Sequence, residues 1–171
     1  MVHMAFGPLK IRLYGDPCLE TKSKPVKVVG PVERMLIAAM FETMIACRGV
    51  GLAAPQVGIN EQIFVVDTGK EIFAAINPRV IKAAGQEVME EGCLSIPGFR
   101  EPVSRANKVT VKAYNEKGEP IELSGEELLA RAFQHEIDHL NGKLFINHLS
   151  ALKRDIIRRK IKKLQKAGEW D

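Results

Sequence analysis

His135 and His139, in the stretch QHEIDHLNG (134–142), stand one helical turn apart, with Glu136 beside the first. On a helix their imidazoles project from one face and can meet at a single divalent cation, and Glu136 then reaches a water on that cation. The chemistry on offer is hydrolysis, with the cation activating the water and the carboxylate taking its proton. Two histidines leave the coordination unfinished. A catalytic site of this kind takes a third protein ligand and keeps one position open.

Downstream, the chain follows the metzincin pattern HExxHxxGxxH as far as Gly142 and then places Phe145 where the third histidine belongs. Phenylalanine cannot ligate. A thermolysin-like glutamate is not at hand either, because the next Glu is Glu169 at the C-terminus. His148 lies in a short connector before the last helix and reads as a surface or capping histidine. Upstream, EGCLSIPG offers Cys93, delivered by a strand-like run and preceded by Gly92, which permits close backbone approach. Spacing alone leaves Cys93 evenly balanced between ligand and buried thiol, the common state of a free cysteine. Cys18 and Cys47 read as buried thiols, Cys47 because it continues a helical apolar stripe.

Several elements must position these residues. PVERMLIAAMFETMIACRG reads as a helix: Pro31 suits the first helical position, Glu33 favours the N-terminal dipole and Gly49 suits the stop. Leu36, Met40, Met44 and Cys47 form its buried stripe, with Ile37 beside it. QIFVVDT, EIFAAINP and the longer VIKAAGQEVMEEG read as strands, and KVTVKAYN and PIELSG as a hairpin turning at EKGE. Ser124 and Glu127 make a capping-box pattern that opens the histidine helix. Ser150 caps a third helix with Leu152, Ile156, Ile157, Ile161 and Leu164 on its apolar side. Helices and short strands that do not alternate as βαβ units predict an α+β fold. The expected arrangement is one compact domain, 1–171, of short antiparallel strands around a central HExxH helix. Residues 1–7 would be an extension and 150–171 a basic C-terminal helix.

The 171 residues include 46% hydrophobic and 27% charged side chains, enough to bury a core without disulfides. Three cysteines, an odd number without paired spacing, point to a reducing compartment. No apolar run reaches the length of a membrane span, and the start lacks a signal-peptide core. Bacterial cytoplasm is the simplest expectation, and an organelle after removal of a transit peptide would look the same. The net charge of +4 is concentrated at the end: the chain from Ser150 onward carries +5, leaving −1 for the rest. That basic helix is either a solvated face or a phosphate-binding one.

Three segments, in order, resemble the signature motifs of the peptide deformylases: GVGLAAPQVG (49–58), EGCLS (91–95) and QHEIDHLNG (134–142). The likeness extends over nearly the whole chain, from IRLYGDPCL to the basic tail. It implies removal of the formyl group from the formyl-methionine of nascent chains, with release of formate. By this resemblance Cys93, His135 and His139 hold the metal, a metal-activated water is the nucleophile and Glu136 is the general base. The formyl oxygen is then met by the Gln56 amide and the Leu94 N–H. Thiolate plus two imidazoles accepts Fe(II), Ni, Co or Zn. The resemblance implies Fe(II) in the cell and Zn, Ni or Co in purified samples. Substrate backbone would pair beside Val50–Gly51 and Glu91–Gly92, and the methionine pocket would draw on Val50, Met89, Leu128 and Ala132. Arg100 matches an arginine near the substrate path. GLAAPQVG could otherwise be a mere turn, with Gly51 and Gly58 supplying positive φ. Formylated nascent peptides are the implied partners, with the ribosome as a second partner through the basic helix, and neither membrane nor DNA. Two rivals remain in view. A metalloprotease lacks its third ligand at Phe145, and a catalytically inactive ribosome-binding relative would have no use for intact Gln56, Cys93, His135, Glu136 and His139.

Overall fold

A computed structural model describes residues 8–170, so the extension expected at 1–7 lies outside the described residues. The chain enters as an extended segment over the surface, broken by a 3-10 turn at Pro17–Leu19 that Asp16 caps by accepting from the Cys18 N–H. Helix α1 spans Pro31–Ala46, with Pro31 in its first turn as expected. Glu33 folds back to accept from the Gly30 N–H at 2.7 Å, which closes the N-terminus.

Strands β1 (Gly51–Ala53), β2 (Ile63–Asp67), β3 (Ile72–Ala84), β6 (Lys108–Tyr114) and β7 (Pro120–Glu126) form one antiparallel sheet in the order β1-β2-β3-β6-β7. β4 (Glu87–Cys93) and β5 (Ile96–Arg105) form a separate hairpin. Helix α2 (Glu127–Leu140) lies on one face of the large sheet and α1 on the other. The run IFVV in β2 is buried on both faces for that reason: Phe64 and Val66 join the α2 side, and Ile63 and Val65 the α1 side. A third apolar cluster docks α3 (Ala151–Ala167) through Ile157 and Ile161 against Ile96 and Val103 of β5. The α+β fold read from the sequence is the one observed, with the HExxH helix at its centre.

Four local expectations fail. The histidine helix is not opened by a Ser124–Glu127 capping box. β7 continues through Glu126, and the Ser124 hydroxyl instead bonds that of Thr110 across the hairpin. The ladder wins because Gly125 lets strand and helix meet: a Cβ there would stand 2.7 Å from Leu129 Cγ. The run VIKAAGQEVMEEG is not one strand, since Gly85 turns at φ +68 between β3 and β4. β3 instead begins at Ile72 and passes Pro78 at an irregularity in its pairing with β6, a position that tolerates proline.

Cys47 is exposed rather than buried, because α1 ends at Ala46 and the stripe stops one turn short of it. The two bonds that close this end run from the Arg48 N–H to Ile45 O and from the Gly49 N–H to Met44 O, a Schellman turn with Arg48 at φ +55. On α3, Ser150 caps as expected, but Leu152 and Ile156 face solvent while Ile157 and Ile161 are buried.

Candidate metal centre

The α2 sequence LLARAFQHEIDHL buries Leu129, Ala130, Ala132 and Phe133 against the sheet, which turns His135, Glu136 and His139 toward the β4–β5 hairpin. β4 brings Cys93 to the same place, where the pairing with β5 shifts register between Gly92 and Cys93 and the chain reverses. Cys93 Sγ lies 3.3 Å from His139 Nε2, and the two Nε2 atoms of His135 and His139 are 3.2 Å apart. All three ligand atoms fall within 4.8 Å of one another, among the described residues. A tetrahedral ion with bonds of about 2.0–2.3 Å separates its ligands by roughly 3.3–3.6 Å, so these spacings fit shared coordination of one cation. Cys93, which spacing alone left open, is the third ligand.

Beside them Glu136 is 4% exposed, and its Oε2 is buried without a hydrogen-bond partner among the described residues. Burial pushes this carboxyl up to about 7, against the pull of a charged His135. Gly51 contributes by lacking a side chain, since a Cβ there would lie 2.5 Å from Glu136 Oε1. The positive φ read for Gly51 is not observed; Gly58 does adopt it, at +86°. Gln56 lies in the 3-10 turn Ala54–Val57 and is buried. Its carbonyl oxygen accepts from the Ala53 N–H at 2.9 Å, which aims the NH2 group at Ser95 Oγ (3.2 Å) and Cys93 Sγ (3.5 Å). Leu94, next to Cys93, lines the same cavity.

Behind the ligands is a charge network that the sequence reading missed. The Glu91 carboxylate meets His135 Nδ1 at 2.5 Å, accepts two bonds from Arg105 at 2.6 and 2.8 Å, and a third from Arg131 at 2.9 Å. Arg131 also donates to the carbonyls of Val103 and Glu87, both at 2.9 Å, tying α2 to the hairpin. Arg105 continues to Asp138, and Asp138 to the exposed His148. Burial alone would raise the Glu91 carboxyl, but the bonds from Arg105 and His135 outweigh it and hold the group well below the usual carboxylate range. For His135 burial opposes the charge, while Cys93 and Glu91 more than compensate and raise it; burial takes His139 the other way. The missed signal was Arg131, an arginine four residues before His135 on the buried face of an apolar run.

A cavity of about 470 Å³ opens over Cys93 and His135, with Glu136 in its lining. Val50 and Gly51, at the start of the edge strand β1, and Glu91 and Gly92 of β4 all line it. Leu128, Ala132 and His135 line its side, and Arg100 stands at the rim. Met89, on β4, is partly exposed and is not among the residues that line the cavity.

The family model for polypeptide deformylase matches residues 8–155. A peptide deformylase of Acidobacterium capsulatum is 51% identical over 162 residues, covering 92% of this chain and 95% of that protein. One from Halothermothrix orenii is 50% identical over 151 residues, covering 87% and 98%. Among solved structures, a peptide deformylase from Legionella pneumophila superposes with a TM-score of 0.90 at 45% identity, covering 96% of this chain and 99% of that one. That from Ehrlichia chaffeensis, in complex with actinonin, superposes with a TM-score of 0.87 at 36% identity over 92% and 97% of the two chains.

Proposed function

The chain belongs to the polypeptide deformylase family, and from that premise we propose how its residues hydrolyse the formamide of an N-formyl-methionyl peptide. Cys93, His135 and His139 would hold a divalent cation, which would supply the Lewis acidity that makes a water nucleophilic at neutral pH. Glu136 takes the proton from that water as its oxygen attacks the formyl carbon. The Gln56 NH2 and the Leu94 N–H meet the charge growing on the formyl oxygen, Gln56 with its donor end already turned to the site. When the C–N bond breaks, Glu136 returns the proton to the departing amine, and formate and a free N-terminus leave.

The observation that carries this reading is the orphaned, buried oxygen of Glu136 beside three converging ligands. The peptide extends between the edges of β1 and β4, and its methionine side chain enters past Val50, Leu128 and Ala132. Met89 of β4, two residues before Glu91, is the further side chain that the resemblance assigns to this pocket. The thiolate–imidazole set suits Fe(II) as the working ion, with Zn, Ni or Co as replacements. The test is anaerobic formate release from formyl-Met-Ala-Ser with the metal content assayed in the same sample. Turnover should vanish in Cys93→Ala, and in Glu136→Gln it should fall by about 10²–10⁴ with metal retained. Full activity in Glu136→Gln would remove the general base from the scheme.

A second part of the proposal concerns α3, whose exposed Arg159, Lys160 and Lys163 suit ribosomal RNA near emerging chains. Deleting the helix is a poor test, since it would uncover Ile157 and Ile161. Replacing the three cations by Glu keeps the buried side intact. Unchanged co-sedimentation with ribosomes at low salt would end this part.

A further inference from the structure

Arg48 occupies an unfavourable backbone position at the mouth of the cavity. It is the C′ residue of α1, at φ +55, where the Schellman turn ordinarily carries glycine. An L-residue with a Cβ is strained there. Attraction between a cation and the helix C-terminus offsets part of that strain, but a cation one turn earlier would do the same without the strained φ. Arg48 is exposed and lines the cavity, and among the described residues its guanidinium has no ion pair. Arg100, the other cation on that rim, is paired with Glu90 at 3.7 Å. The unmatched positive charge at the mouth therefore belongs to Arg48.

This inference rests on the proposed function, because it follows the substrate outward. The formyl end lies at Glu136, whose carboxylate abuts Gly51. Beyond Gly51 in one direction β1 enters the buried run Leu52–Val57, so a bound peptide must leave the other way, past Val50 and Gly49 toward Arg48. It then runs antiparallel to β1. At about 3.4 Å per residue, a peptide whose first residue lies beside Gly51 puts its third beside Gly49, within reach of the Arg48 side chain. We propose that Arg48 is a specificity-determining residue that favours substrates with an acidic side chain at the third position and disfavours basic ones.

The experiment compares kcat/KM for formyl-Met-Ala-Xaa-amide with Xaa Glu, Gln or Lys, in the metal-loaded enzyme, at 20 mM and 500 mM KCl. Because the charge pair is solvent-exposed, the expected Glu-over-Lys ratio is about 3–10 at low salt and falls toward unity at high salt. In Arg48→Gly, which suits the left-handed position, the ratio should fall to near unity while the melting temperature rises by about 2–4 °C. Arg48→Glu should invert the ratio. Each variant is read as a ratio, so a change in overall turnover does not matter. A Glu-over-Lys ratio as large in Arg48→Gly as in the wild type overturns the proposal, as does a ratio lost only in Arg100→Gln. Absence of formate from all three peptides would refute the deformylase reading itself, and this inference with it.

Discussion

The Nδ1 atom of His135 lies 2.5 Å from Oε1 of Glu91, a carboxylate held in turn by Arg105 and Arg131. The bond fixes the imidazole so that Nε2 points to Cys93 and His139. Such a carboxylate partner orients a metal-binding imidazole and raises its basicity. Glu91→Gln keeps the shape and weakens the hold. Metal affinity should drop about 10–100-fold, measured by competition with a chromogenic chelator. Unchanged affinity would mean that the helix alone orients His135.

The same carboxylate should make the fold acid-sensitive. Its folded-state pKa is depressed, so its stabilisation is fully present above the unfolded value of about 4.5 and is lost as pH falls below it. The urea midpoint of the wild type should therefore decline from pH 5 to pH 3 more steeply than that of Glu91→Gln. Parallel declines would show that the buried network is not what titrates.

Gly51→Ala adds one methyl group 2.5 Å from Glu136 Oε1, a separation that no Cβ tolerates. The carboxylate or β1 must move. Displacement of a catalytic group by about 1 Å costs on the order of 10²-fold in rate. Formate release should fall accordingly while bound metal stays stoichiometric, since the three nearest atoms to this methyl all belong to Glu136. Loss of metal together with activity would point instead to a collapsed site.

Gln56→Ala removes the NH2 group that faces Cys93 and also the acceptor of the Ala53 N–H. The rate should fall by about 10²–10³ through kcat, as expected for loss of one donor to a developing oxyanion. A change confined to KM would reassign Gln56 to ground-state binding.

Much of the site was legible because its signals are local. One helical turn between His135 and His139 fixes their common face, and the Pro31 start and Ser150 cap follow from the needs of single helix ends. Where a local rule met a long-range contact, the contact prevailed. Ser124 gave up its cap to the β6–β7 ladder, Cys47 was left exposed by the turn at Arg48, and Leu152 was left outside when α3 docked through Ile157.

By itself the sequence determined the α+β class, the histidine pair with its glutamate and, through three ordered segments, the family. Only the tertiary structure decided how Cys93 Sγ stands against the two imidazoles and that Glu91 bears on His135. The reason is separation along the chain. Cys93 and His139 are 46 residues apart, and Glu91 and His135 are 44 apart. Such contacts are set by how a β-hairpin settles on a helix, which no periodicity within either element encodes.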